Sequence, residues 1–143
     1  MEVRCYVVAG GADPERLRES VRGAAPKLLV QTVRTSALSN ESLAEMIVAQ
    51  TLRASLAQNL LAKKLEIDLL LRLAGTTQIT EAIRSVGARA GEDFIFVAAG
   101  EGEELNAAES LGVLGAERLP RGTLGRGEMM RVEESALLNA QRT

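Results

Sequence analysis

Apolar positions along this chain switch between a period of two and a period of about 3.6. "EVRCYVVAG" alternates and runs into Gly10-Gly11, the pattern of a strand entering a turn. "ADPERLRESVRG" follows as a helix, with Asp13 as N-cap, Pro14 at the first helical position and Gly23 as its stop. "KLLVQTVRT" predicts a second strand and "DFIFVAAG" a third, the clearest of the set. Between those two strands lie three helices in a row. The longest is "SNESLAEMIVAQTLRASLAQNLL", opened by a polar cap at Ser39 or Asn40. Leu43, Met46, Ile47, Ala54, Ala57 and Leu61 form one apolar stripe on it; Val48, Leu52 and Leu56 form another on the opposite side. A helix apolar on two faces lies between layers. One layer is the sheet; the other is either helices of this chain or a second protein.

The next two helices meet in "LEIDLLLRLAGTTQITEAI". Leu65, Leu69 and Leu73 recur every fourth residue, while Ile67, Leu70, Leu71 and Ala74 fill another side. Burying such groups contributes roughly 1.5–3 kcal/mol per large side chain before ordering entropy is subtracted, so this helix belongs to the core. Gly75 is placed to end it in a left-handed conformation. Thr76 or Thr77 then caps a helix in which Ile79, Ala82, Ile83 and Val86 keep helical spacing before Gly87. The join is a polar elbow at which a helix start turns free N–H groups outward.

Further along, "EELNAAESLG" predicts a short helix, "AERL" a short strand and "PRGTLGRGE" a loop. A last helix runs through "MMRVEESALLNAQR". The expected fold is α/β of the α+β kind: a small mixed sheet of about four strands covered by a helical layer. Residues 1–143 read as a single domain without repeat or linker.

Composition narrows the function. Apolar residues make up 46% of the 143, yet Tyr6, Phe94 and Phe96 are the only aromatics. The opening "MEVRCYVVAGG" lacks the basic region of a signal peptide, and no run reaches the roughly 18 apolar residues of a membrane span. A lone Cys5 excludes an internal disulfide and suits a reducing compartment. The expectation is a soluble, cytoplasmic protein that touches no membrane.

Without any histidine, Ser-His-Asp and Cys-His nucleophiles and His-based metal sites are excluded; no metal or cofactor is expected. Cys5, in a strand, reads as a small core residue. Two glycine-rich turns imitate nucleotide-binding loops. "VVAGGADP" lacks the G-x-G-x-x-G spacing, and "VAAGEGEEL" sets Glu101, Glu103 and Glu104 against any pyrophosphate. Glu133 and Glu134 are adjacent, so on a helix they diverge and make a poor acid/base pair. The balance favours a binding protein over an enzyme.

Charge is uneven despite a net −2: residues 1–90 carry 12 Lys/Arg against 9 Asp/Glu, and residues 91–143 carry 5 against 10. The basic stretch 50–90 holds Arg53, Lys63, Lys64, Arg72, Arg84 and Arg89. Either this is a solvated mixed surface or it is an anion-binding face beside the elbow. An elbow of helix-start N–H groups near Lys63, Lys64 and Arg84 suits a phosphate or a carboxylate. The plainer reading is a capped turn between core helices.

The stretch from Gln31 to Ile83 resembles the small PRPK-binding subunit of the KEOPS complex. That family has an Asn-x-x-x-Lys segment before a leucine-rich helix that ends in a Leu-Ser-Gly-Thr-Arg-Gln-Ile-like sequence. Here Asn59 and Lys63 match, then Leu69 to Leu73, Gly75, Thr76, Gln78 and Ile79; Ala136, Leu137 and Leu138 match the closing Ala-Leu-Leu helix. The resemblance implies a non-catalytic subunit that docks on a small atypical kinase-like ATPase. It also implies a part in holding the single-stranded 3′ end of tRNA for threonylcarbamoyladenosine modification. The tRNA contacts expected are Asn59, Lys63, Lys64, Gly75, Thr76, Gln78 and Arg84. The kinase contacts expected are Leu43, Ile47, Met130, Leu137 and Leu138, drawn from surplus apolar surface on the long and last helices. Thr77 stands where the family often has Arg, which removes one RNA contact; Ala74 replaces a common Ser and Asp68 a common Glu.

Physics limits the RNA side. Single-strand binders stack bases on aromatic rings at roughly 1–3 kcal/mol each, and all three aromatics here lie in predicted strands. Weak RNA binding alone, strengthened within a larger assembly, is the expectation. A second class is a small-anion or metabolite-binding regulatory domain that uses the elbow. An enzyme built on carboxylates, lysines and Tyr6 lacks a convergent set.

Overall fold

A computed structural model describes residues 1–112 and 117–141. Strands β1 (Glu2–Val8), β2 (Leu29–Arg34), β3 (Phe94–Gly100) and β4 (Glu117–Arg118) form one sheet in the order β2-β3-β1-β4. Every neighbouring pair is antiparallel: Phe96 stands opposite both Tyr6 and Thr32, and Tyr6 opposite Arg118. The sheet is therefore not mixed, as the pattern of elements had suggested. Strand direction depends on where the connections cross, which local periodicity does not encode.

Helices cover both faces. α1 (Pro14–Ala24) and α5 (Gly102–Ser110) pack on one side. There Tyr6, Val30, Phe94, Phe96 and Ala98 meet Leu17, Val21 and Leu105. On the other side lie α2 (Glu41–Leu56), α3 (Leu65–Ala74), α4 (Ile79–Val86) and α6 (Arg126–Ala136), followed by a short turn, α7 (Leu138–Gln141). Cys5, Val33, Ile95 and Val97 meet Leu43, Ile47, Leu69, Leu71, Ala82 and Val132 there. Period-two alternation in the strands serves two cores at once, which is why all of β3 is buried. The result is an α+β sandwich with the sheet in its middle.

Element ends follow local chemistry. Asn40 caps α2 by accepting from the Leu43 N–H at 2.9 Å, and Asp13 caps α1. α1 continues through Gly23 and stops at Ala25, which leaves the helical region (φ −141°, ψ 73°) that a following Pro26 disfavours. α2 ends at Leu56, five residues before its expected end. The Asn59 N–H turns back to the Ala54 carbonyl (2.8 Å), and the Leu61 N–H is taken by Asp68 Oδ2 (2.9 Å). The "GRGE" end of the expected loop belongs to α6, where Glu128 Oε1 accepts from the Gly125 N–H at 3.3 Å. The last helix is interrupted at Leu137. Arg72 donates to the Ser135 carbonyl (3.3 Å), the group a continuous helix reserves for the Asn139 N–H. Ala116 of the expected "AERL" strand and Arg142 of the expected last helix lie outside the described residues. Among the described residues no helix is long and apolar enough to cross a membrane.

Candidate functional site

The elbow is built from the end of α3 and the start of α4. Leu69, Leu70, Leu71 and Leu73 are buried and fix α3 against the sheet. Gly75 takes the left-handed conformation (φ 72°), and its N–H and that of Thr76 both return to the Leu71 carbonyl, at 2.9 and 3.2 Å. Thr76 Oγ1 then accepts from the Gln78 N–H at 3.1 Å. Gln78, rather than Thr76 or Thr77, occupies the cap position of α4, and no side chain caps that helix. Ile79 and Ile83, one turn apart on α4, are 47% and 55% exposed. Polar backbone and greasy side chains are thus presented together at the surface.

The cations divide by partner. Lys63 and Lys64 are exposed, and among the described residues their ammonium groups make no ion pair or hydrogen bond. Arg84 is exposed but its guanidinium grips Glu81 at 2.6 Å. Arg72 leaves the expected basic face altogether: it is 2% exposed inside the core. Asn59, Lys63 and Lys64 open onto three separate cavities, of 270, 530 and 290 Å³. Lys64 shares its cavity with Ile83 of α4. The Asn59 carbonyl is tied to Asn139 Nδ2 at 2.6 Å. Gly75, Thr76 and Gln78 form one surface; Asn59 belongs to another.

A buried polar network underlies this region. Asp68 accepts from Arg72 Nε (2.7 Å), Thr51 Oγ1 (2.6 Å) and the Leu61 N–H (2.9 Å). Arg72 Nη2 also donates to Asn139 Oδ1 (2.9 Å), and Ser135 Oγ to Gln50 Oε1 (2.6 Å). The network ties α2, the 57–64 loop, α3, α6 and α7 together. Sequence reasoning missed it, though a charged i,i+4 pair inside "LEIDLLLRLAG" was its signal.

The expected docking residues split. Met130 and Leu137 are 53% and 60% exposed, and Met129 stands out beside them. Leu43, Ile47 and Leu138 are sealed inside and cannot touch a partner of the folded chain. Leu43 and Ile47 sit one turn apart on the face of α2 turned to the sheet, while its other stripe fades from buried Val48 through half-buried Leu52 to exposed Leu56. Amphipathic spacing identified the stripes but not which one the sheet would claim.

Other reactive groups are committed elsewhere. Burial, then the Glu41 charge, pushes the Cys5 thiol far above its ordinary range, so the thiolate a nucleophile requires is not formed near neutrality. The Tyr6 hydroxyl donates to Glu109, which also takes Arg4 Nη1 at 2.8 Å. Tyr6, Phe94 and Phe96 are all buried, so none of these rings is offered to a nucleobase. Among the described residues no group of three or more Cys, Asp or Glu is placed to hold a metal ion. No protein-family model matches the chain, and no curated protein sequence does.

Proposed function

We propose that this protein is a non-catalytic subunit of a KEOPS-like tRNA-modifying assembly. In this reading it docks on a kinase-like ATPase and helps to hold the single-stranded 3′ end of tRNA. The observation that carries the reading is the elbow, where an uncapped helix start lies beside exposed Ile79 and Ile83. Backbone N–H groups suit phosphate oxygens, and flat bases can rest on isoleucine where no aromatic is available. Lys63 and Lys64 supply unpaired positive charge in the segment leading into α3. The protein partner is assigned to exposed Met129, Met130 and Leu137, because Leu43, Ile47 and Leu138 are spent on the core.

Two measurements test this. Binding of tRNA with and without its 3′ single-stranded end is compared for the parent and for Lys63→Glu/Lys64→Glu. The parent prefers the intact tRNA, and the variant loses that preference; equal loss for both substrates rejects recognition of the terminus. Binding to the kinase-like subunit is measured for Met130→Asp and Leu137→Asp. Loss of binding with an unchanged melting curve supports docking there, and retained binding rejects it.

A further inference from the structure

β2 is an edge strand, and its Gln31 and Thr32 line the 290 Å³ cavity together with α1 and α3. Arg18 and Arg22, one turn apart on α1, and Lys64, just before α3, supply its cations. Among the described residues Glu66 is the one carboxylate on its wall, so that lining is net positive by two. Arg18 is held in place by a satisfied relay. Its Nη1 donates to Thr32 Oγ1 (2.7 Å) and Gln31 Oε1 (3.2 Å), Gln31 Oε1 also accepts the Thr32 N–H (2.9 Å), and Gln31 Nε2 donates to the Glu66 carbonyl (2.8 Å). Among the described residues the other Arg18 nitrogens carry no hydrogen bond.

Compensation of these charges is incomplete. Arg22 reaches Glu66 only at 3.6 Å, and Lys64 has no counter-ion among the described residues. Burial, and then the neighbouring Arg22 charge, pushes Arg18 below the ordinary arginine range. An anion in the cavity relieves both effects. The opposite wall is apolar, made by Ile67, Leu70, Ile83 and Ala88. A guanidinium fork matches phosphate oxygens in pairs, and a phosphomonoester carries about −1.5 to −2 charges near neutrality, which matches the net charge of the lining. Inorganic phosphate leaves the apolar wall wet.

We propose that this cavity binds a small phosphomonoester, with its phosphate between Arg18, Arg22 and Lys64 and an apolar or ring-shaped body against Ile67, Leu70 and Ile83. The site lies on the α1 side of α3 and shares Lys64 and Ile83 with the elbow region, but its argument does not depend on what the elbow binds.

The test is a titration of the ¹⁵N-labelled chain with phenyl phosphate, followed by amide shifts, with inorganic phosphate as the comparison. Phenyl phosphate is expected to give saturable shifts at Thr32, Ile67 and Ala88, with inorganic phosphate at least tenfold weaker. Arg22→Glu and Lys64→Glu each weaken phenyl phosphate at least fivefold, and Ile83→Asp abolishes the preference over inorganic phosphate. All three side chains are exposed, so these variants keep the fold, and their unshifted spectra verify it. Shifts that fail to saturate, equal binding of the two probes, or indifference to all three substitutions would overturn the proposal. Neither tRNA nor a partner protein enters the experiment, so its failure is separable from failure of the elbow reading.

Discussion

Arg72 Nε lies 2.7 Å from Asp68 Oδ1 within α3, and both side chains are almost wholly withdrawn from water. A buried pair stabilises only if its remaining donors and acceptors are met, since desolvating two charges costs several kcal/mol each. Here Thr51, the Leu61 N–H, the Ser135 carbonyl and Asn139 meet them. The pair therefore fixes where the 57–64 loop and α7 rest.

Removing one partner alone strands the other. Arg72→Met should cost about 3–5 kcal/mol in urea unfolding, by leaving Asp68 buried and unpaired. Adding Asp68→Leu should recover part of that loss, because the stranded charge goes with it. A double variant no more stable than Arg72→Met would show that the pair does not act as a unit.

The elbow rests on one backbone conformation. A Cβ at Gly75 would meet nothing within 4 Å, so Gly75→Ala probes left-handed strain without a clash. Roughly 1–2 kcal/mol should be lost, and Gly75→Asn should lose less. Thr76→Val removes the hydrogen bond to the Gln78 N–H and should cost about 0.5–1.5 kcal/mol. Thermal unfolding of the three variants reads all these effects.

Leu137 and Leu138 are neighbours with opposite fates. Leu138→Asp buries a charge and should prevent folding or lower the melting temperature severely. Leu137→Asp should leave the melting temperature nearly unchanged. Circular dichroism melts of the two variants check the assignment of core and surface.

Stability should fall at both ends of the pH scale. The Tyr6 hydroxyl holds Glu109 below the usual carboxylate range; burial opposes it, and Arg4 adds to the lowering. The Glu109 contribution is complete above its unfolded value, about 4.3, and disappears as pH falls through the depressed folded value. Burial raises both Cys5 and Tyr6 in the fold. Their contributions are complete below the unfolded values, about 8.5 and 10, and fade as pH rises beyond them. Urea midpoints against pH should show Tyr6→Phe flattening the acid limb and Cys5→Ala delaying the alkaline one. Thiol reagents should label Cys5 only as fast as the fold opens.

Periodicity and capping residues made most elements legible: Asp13, Pro14, Asn40 and Gly75 stand at helix ends as their chemistry requires. What escaped was set by distant parts of the chain. No glycine or proline in "LAQNLL" announces the end of α2: Gln58 turns left-handed (φ 55°), the Asn59 N–H returns to the Ala54 carbonyl, and Asp68, from the following helix, takes the Leu61 N–H. Arg72 looked like one more surface cation until the core supplied it with Asp68 and Asn139. At the elbow Gly75 and Thr76 could be read directly, but the exposure of Ile79 and Ile83 could not, since their spacing is that of a buried face. Arg18 and Arg22 lie in "ADPERLRESVRG", whose local pattern gives only a helix and its cap. Their signal was the polar pair Gln31-Thr32 inside a strand otherwise rich in Leu and Val.

The same positive charges have a second effect at the margin of the sheet. Val33 bridges Gly87 on the outer side of β2, and β4, at the other margin, is two residues long. Among the described residues neither margin offers a long bare row of amides to a neighbouring molecule, and Arg18, Arg22 and Lys64 repel any that approaches β2. Neutralising those side chains to empty the cavity would therefore also remove gatekeepers, and such variants should be handled dilute, where precipitation cannot be mistaken for lost binding.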